Sequence, residues 1–278
     1  MKQVTSYADY EAAIAALKAS QGRLANNNYH YEADIQAWIE AGKLYVQTTP
    51  DALAFFHDVG DYYDLIYYLP AAPGSSFDLS GLDKPALISQ VFNRENQKLQ
   101  DAANYWLEQG FSPYKESRHM TLDVSLVPDS PPYTLATTRQ DAHQFAEWLQ
   151  RFFYTYGDGA PDEETLWQAI QEKRVALWIA QPEGVIAGYM WTSLPQGNHT
   201  DNLGIAIDPQ FRGRSYSRRI IESFCTWCRD RGVGYMTLWV NRGNTVAERL
   251  YETLGYQYTG KQSRQYLYEP GQNKEDQP

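Results

Sequence analysis

Arg212, Arg214, Arg218 and Arg219 crowd the end of the run Leu203-Gly-Ile-Ala-Ile-Asp208-Pro209-Gln-Phe-Arg212-Gly213-Arg214-Ser215-Tyr216-Ser217. The chemistry open to such a run is anion binding. A strand that leads through a loop of small residues into a helix offers unpaired backbone N–H groups and the positive end of the helix dipole, and both suit a phosphate. Arginine at a helix start disfavours the helix itself, so a bound anion gives the cluster a physical reason; a solvated basic face after a sharp turn is the plainer alternative. A second block, Val240-Asn241 through Asn244-x-x-Ala247-x-x-Leu250-Tyr251-x-x-Leu254-Gly255-Tyr256, sets Asn244, Ala247 and Tyr251 near one helix face at steps of three and four. Asn244 suits the cap of that helix, and by periodicity alone Tyr251 reads as a packed aromatic beside Leu250 and Leu254.

His143 and His199 are further candidates for a base, each with a plainer structural reading. His143 lies on an amphipathic helix and His199 in the polar run Gln196-Gly-Asn-His-Thr200. Glu163 and Glu164 begin a helix behind the cap residue Asp162, where the dipole favours acidic side chains. Both cysteines sit in Cys225-Thr-Trp-Cys228, inside an apolar periodic stretch rather than at a helix start, and no neighbouring sequence supplies further zinc ligands. They read as two ordinary helix thiols, and no metal is expected.

These blocks need elements to hold them. Three prolines in Asp123-Val-Ser-Leu-Val-Pro128-Asp-Ser-Pro131-Pro132 mark a connector, which divides the chain into domains at 1–127 and 128–270, with a disordered tail at 271–278. The second half reads as a strand at Thr134–Thr138, a helix through Phe145, Trp148, Leu149 and Phe152, a loop Gly157-Asp-Gly-Ala-Pro161, and a helix with Leu166, Trp167 and Ile170. Strands Val175–Ala180 and Val185–Thr192 follow around a Pro182-Glu-Gly184 turn, then strand Leu203–Ile207, a long helix from Ser215, strand Met236–Val240 and the short helix of Tyr251. The first half repeats parts of this order. Asn93-Arg94-Glu-Asn96 parallels Asn241-Arg242-Gly-Asn244, Tyr105 to Phe111 parallels Leu250 to Tyr256, and Ser117-Arg118 parallels Ser263-Arg264, so a duplicated α+β plan is expected. The first copy, with helices near Tyr10–Ser20 and Glu32–Ala41, has no arginine loop: after Leu69-Pro70 comes Ala-Ala-Pro73-Gly74-Ser-Ser-Phe77, and the interval before Asn93 is too short for the long helix. Tyr62, Tyr63, Tyr67 and Tyr68 in this half face either a cleft or a sheet core.

Composition bounds the partners. Asp plus Glu is 34 against 24 for Lys plus Arg, a net charge of −10 and a pI near 5.0, which opposes binding to nucleic acid or anionic membranes. No apolar run approaches the roughly 18 residues of a spanning helix, and the polar start Met1-Lys-Gln-Val-Thr-Ser6 is unlike a secretory signal, so a cytoplasmic protein is expected.

From Tyr133 to Tyr268 the two blocks, in this order, resemble the GNAT N-acetyltransferase superfamily. That family's phosphate loop is Arg/Gln-x-x-Gly-x-Gly/Ala after a strand, followed by an Asn-x-x-Ala-x-x-Leu-Tyr-x-x-x-Gly-Phe/Tyr helix. The resemblance implies an α+β fold of two GNAT-like domains in tandem, each a mixed, mostly antiparallel sheet flanked by helices, the first degenerate and the second catalytic. It implies acetyl-CoA as co-substrate, with pyrophosphate on the N–H groups of Arg212, Gly213, Arg214, Ser215, Tyr216 and Ser217, and pantetheine along Ile205, Ala206 and Ile207. Asn244 and Ala247 would lie along the pantetheine, and Tyr251 would protonate the departing thiolate. The reaction implied is transfer of the acetyl group to a primary amine of a small molecule or peptide by direct attack on the thioester. This sequence departs from the pattern at two places. Serines stand at positions 215 and 217, so a positive φ at Ser215 carries a cost that glycine avoids, and Asn202 occupies the place where the family often has a carboxylate. Asp201 is the neighbouring candidate base, although strand alternation sends it to the opposite face. In the family the loop before Glu163 and Glu164 lines the acceptor site, where acidic residues suit a cationic amine. Two other readings remain: a non-catalytic coenzyme A-binding or scaffold protein, favoured by the serine-substituted loop, and an aminoacyl transferase using charged tRNA, opposed by the net charge.

Overall fold

The computed structural model describes residues 1–131, 134–153, 161–173, 175–180 and 184–271. The expected loop at 157–160, the turn residues Pro182 and Glu183 and most of the expected tail lie outside the described residues. The chain divides into two compact units, Met1–Glu116 with Lys261–Pro278, and Ser117–Gly260. Each is a mixed, mostly antiparallel sheet flanked by helices, the class the sequence indicates.

In chain order the first unit runs β1 (Lys2–Gln3), α1 (Tyr7–Gln21), β2 (Ala25–Asn26), α2 (Glu32–Glu40), β3 (Leu44–Thr48), β4 (Leu53–Asp58), β5 (Tyr63–Leu69), β6 (Ala86–Phe92), α3 (Gln97–Glu108) and the start of β7 (Ser112–Asp123). The second holds the rest of β7, then β8 (Thr134–Ala136), α4 (Arg139–Phe153), α5 (Glu163–Gln171), β9 (Val175–Ala180), β10 (Gly188–Ser193), β11 (His199–Ile207), α6 (Tyr216–Arg229), β12 (Tyr235–Asn241), α7 (Thr245–Leu254) and the start of β13 (Gln257–Tyr268). Helix starts follow the local chemistry. Ser6, Asn96, Asp162 and Asn244 each accept a backbone N–H three residues on, satisfying a donor that the first turn leaves open.

The duplicated motifs become duplicated structure. Asn96 and Asn244 cap α3 and α7, Gly110 and Gly255 end them with φ of 97°, and a 12-residue strand follows each. Each sheet also contains a parallel pair, β5 with β6 and β11 with β12. The last strands are exchanged, however: Gln262–Tyr268 of β13 pairs with β6, whereas Ser117–Asp123 of β7 pairs with β12. The division expected at 127/128 is therefore displaced. Residues 117–127 already belong to the second unit and residues from Lys261 onward to the first, because ladder hydrogen bonds, not proline content, decide membership.

In the first unit every residue of β5 is buried, with α1 and α2 covering one face and α3 the other, so Tyr63, Tyr67 and Tyr68 build core. The interval from 70 to 85 is wholly described and contains no helix, in agreement with its length. The second unit has one core under α6 and α7 and another under α4 and α5. α6 is amphipathic, with Ile220, Ile221, Phe224, Cys225 and Cys228 forming its buried stripe. β10 starts at Gly188, not Val185, and there a Cβ would lie 2.4 Å from the Ala206 carbonyl, so only glycine lets β10 approach β11 this closely. Among the described residues no helix is long and apolar enough to cross a membrane.

His57 in the first unit stacks on Trp38, with ring centroids 3.8 Å apart, and burial pulls its imidazole down to about 4. The unfolded chain takes up that proton near the ordinary histidine value, so neutral His57 contributes stability that is present above about pH 6.5 and is lost as pH falls towards about 4. Denaturant midpoints at about pH 7 and about pH 5 are expected to drop further in the wild type than in His57→Phe. Equal drops would remove His57 from the acid sensitivity.

Candidate active site

β11 and β12 are hydrogen-bonded in parallel register from His199–Tyr235 to Asn202–Leu238, and there the ladder stops. On its other side β11 stays paired with β10 as far as Ile207, through a bulge at Leu203 fixed by a bond from the Gly204 N–H to Asn202 Oδ1 (3.1 Å). The two strands thus part like a wedge. From Leu203 to Ile207 the edge of β11 that faces the wedge is free of strand partners among the described residues, a template for an extended ligand with amide groups.

The open end of the wedge leads to α6. Asp208 accepts the Gln210 N–H (2.9 Å) in a single 3-10 turn, Arg212 Nε donates to the Ile207 carbonyl (3.2 Å), and Gly213 and Ser215 both take positive φ, 76° and 65°. Ser215 is the N-cap of α6, yet its side chain makes no capping bond, unlike the caps of α5 and α7. The first-turn N–H groups of Tyr216, Ser217 and Arg218 are left for an outside acceptor. The arginines divide: Arg212, Arg214 and Arg219 are exposed, whereas Arg218 is tied to Thr253 of α7 (2.6 Å) and to Glu222 (3.4 Å). Arg218 joins two helices and is not a free phosphate ligand.

Asn244 caps α7 through the Ala247 N–H (3.2 Å), so its oxygen is engaged, and the residue is exposed. Tyr251, about two turns on, is 7% exposed and packs at 5.3 Å against Tyr256; burial pushes its phenol up to about 12, which keeps it protonated at neutral pH. Asp201 and Asn202 point to opposite faces, as alternation requires. Asn202, beside Leu238, is buried towards α6 and α7. Asp201 is partly exposed on the other face, where its Oδ1 accepts the Thr237 hydroxyl, its Oδ2 lies 3.4 Å from Ser193 Oγ, and His199 Nε2 stands 3.4 Å from Oδ1. The sequence offers His199 as a candidate base with a plainer structural reading, and the structure brings it beside Asp201. The signal was available, because residues 199 and 201 share a strand face.

Residues 142–256 match a family described as the acetyltransferase (GNAT) family. They belong to the GNAT acetyltransferases. The chain is also 23% identical to a mycothiol acetyltransferase of Thermobispora bispora over 168 residues, 56% of this chain and 57% of that one, so it spans a little over half of that relative's length. Its fold is similar to the tandem GNAT protein from the clavulanic acid biosynthesis pathway, with a TM-score of 0.56 over 98% of both chains at 13% identity. A GCN5-related N-acetyltransferase from Sphaerobacter thermophilus gives 0.54 at 15% identity, over 94% of this chain and 92% of that one. The likeness in fold covers nearly the whole length of the chain.

Other candidates are placed elsewhere. Glu163 accepts from Arg139 Nε (2.8 Å) and His143 Nδ1 (2.7 Å), which hold its carboxyl below the usual range, and Glu164 is 2.6 Å from the same arginine. Arg139 thus bridges the two carboxylates. Cys225 and Cys228 are fully buried and burial pushes both thiols up to about 12, so they are core side chains. In the first unit the corresponding wedge is filled by its own chain. β2 pairs with Leu69 and Tyr68 of β5, while Asn27 donates to the Leu65 and Ser89 carbonyls (2.9 and 3.2 Å) and accepts the Tyr67 N–H (2.8 Å).

Two outcomes follow from this geometry. Asn27→Ala removes three bonds to buried backbone and is expected to cost about 2 to 3 kcal/mol in denaturant unfolding. A loss under about 0.5 kcal/mol would mean that the filled wedge contributes little. Ser215→Gly relieves a left-handed serine without moving the N–H groups, so the melting temperature should hold or rise and coenzyme A affinity should not fall. A weakened affinity would show that the serine hydroxyl itself contacts the ligand.

Proposed function

We propose that this chain is an acetyl-CoA-dependent N-acetyltransferase, acting on a primary amine of a small molecule or peptide, with the second unit carrying the reaction. The parting of β11 from β12 towards an uncapped helix start carries this reading. The residues present fit the co-substrate. The Arg212 N–H is bound to the Pro209 carbonyl (3.3 Å), so the N–H groups from Gly213 to Ser217 suit a pyrophosphate; the free edge at Ile205, Ala206 and Ile207 suits the amides of pantetheine, with Asn244 and Ala247 facing it. When bound, acetyl-CoA supplies an activated acyl carbon.

The protein's own groups then divide the proton work. Asp201, fixed by Thr237 and Ser193, holds the acceptor ammonium and takes its proton directly or through water, freeing the nitrogen lone pair. Tyr251, neutral and buried on the other side of the sheet, keeps a proton available for the leaving sulfur. The filled wedge and absent crossover helix support one coenzyme A site per chain, in the second unit. The sequence kinship to mycothiol acetyltransferases supports an amine acceptor without fixing which one.

Calorimetric titration with acetyl-CoA tests the site. Saturable binding at one equivalent per chain is expected, weakened about tenfold or more in the double variant Arg212→Ala with Arg214→Ala. Absence of binding to the wild type would leave the scaffold reading in its place. Tyr251→Phe should lower turnover about a hundredfold while acetyl-CoA affinity stays within about twofold, and full activity would exclude Tyr251 as the acid.

A further inference from the structure

Two buried polar atoms at the apex of the wedge have no hydrogen-bond partner among the described residues: Asn202 Nδ2 and the Tyr256 hydroxyl. Their residues are only 5% and 4% exposed. A buried donor left unmade is unfavourable, and native proteins retain one mainly where something else completes it. The orientation of Asn202 is not arbitrary. Its Oδ1 is committed to the Gly204 N–H in the bulge, so the side of the amide presented to the interior is the donating NH2. Asn202 lies close enough to favour the phenolate of Tyr256, yet the two do not complete a hydrogen bond, and Tyr251 packs on the same ring at a tilt of 60°.

The placement is specific. Asn202 is the last residue of β11 that pairs with β12, so it stands where the strands begin to part, on the face shared with Tyr251. Asp201, one residue earlier, faces the other way. A ligand that enters along the free edge of β11 with its reactive end near Tyr251 therefore ends against the Asn202 amide. We infer that Asn202 is a further catalytic residue: its Nδ2–H donates to the carbonyl oxygen of the thioester, with the Tyr256 hydroxyl as a second donor beside it. This rests on the acetyltransferase reading above. Negative charge grows on that oxygen as the amine adds, so a donor fixed in advance in a dry site lowers the barrier.

The experiment compares acetyl-CoA with free coenzyme A on the wild type, Asn202→Leu and Asn202→Asp. Calorimetry should give a ratio of the two affinities that falls about tenfold in each variant, through acetyl-CoA alone. Infrared difference spectra with acetyl-CoA labelled with carbon-13 at the carbonyl should show a lowered C=O stretch in the wild type, returned towards its free-solution position in Asn202→Leu. Asn202→Asp keeps the size of the side chain, so it reports even if the leucine variant unfolds. An unchanged ratio and an unshifted band in binding-competent variants would overturn the assignment alone. Failure of the wild type to bind acetyl-CoA would overturn it together with the proposed function.

Discussion

Everything in the second unit turns on where the parallel ladder between β11 and β12 ends. A parallel pair requires a crossover, and the crossover helix α6 has to start where β11 stops. Ending the ladder at Asn202 while β10 holds the other edge frees five residues of backbone, and the same strand then delivers the chain to Gly213 and Ser215. Wedge, phosphate-type loop and helix start are therefore a single continuous consequence of one strand separation. The bulge at Leu203 reinforces it, because an extra residue turns the register on one side and commits Asn202 Oδ1 to Gly204.

The first unit shows the same separation resolved differently. Its β5–β6 ladder stops after Asp64–Leu87, and backbone groups that would otherwise be left open are met by β2 and by the Asn27 amide. An asparagine side chain carries the donor and acceptor pattern of a peptide group, so it replaces a strand residue at the break. Two copies of one plan thus answer the same requirement for buried backbone, one with its own chain and one with an edge left open. The difference accords with the loss of the crossover helix, since a filled wedge has no ligand to hand on to a helix terminus.

Local signals in the sequence were sufficient wherever the controlling interaction was local. Asp162 and Asn244 were legible as caps because the bond they make is three residues away, and Gly110 and Gly255 because a helix end needs a positive φ. The cost at Ser215 was legible for the same reason, and its φ of 65° is the value at issue. Long-range choices were not. Whether β6 pairs with residues 112–123 or with 257–268 depends on ladders between distant segments that have nearly the same motif, so the proline-rich connector misled the division. Arg218 looked like its neighbours until Thr253, a residue on another helix, took it. Glu163 likewise could not reveal Arg139 and His143 as partners, since nothing in their spacing records how α4 packs on α5.

Strand alternation has a chemical consequence in β11. Adjacent residues 201 and 202 carry a carboxyl and an amide, and the pleat puts them on opposite faces of one sheet. A carboxylate and a phenol placed on the same face would hydrogen-bond to each other, so that neither would be free for an incoming group. Here Asp201 is partly exposed and engaged by the hydroxyls of Thr237 and Ser193, while Tyr251 is held in the interior, where burial keeps its proton on. In the proposed reaction the sheet would stand between the proton acceptor and the proton donor, with the wedge as the opening through it. Acetyl transfer from a thioester to an amine needs a proton removed from the nitrogen and one given to the departing sulfur, and groups on opposite faces would do both without neutralising each other.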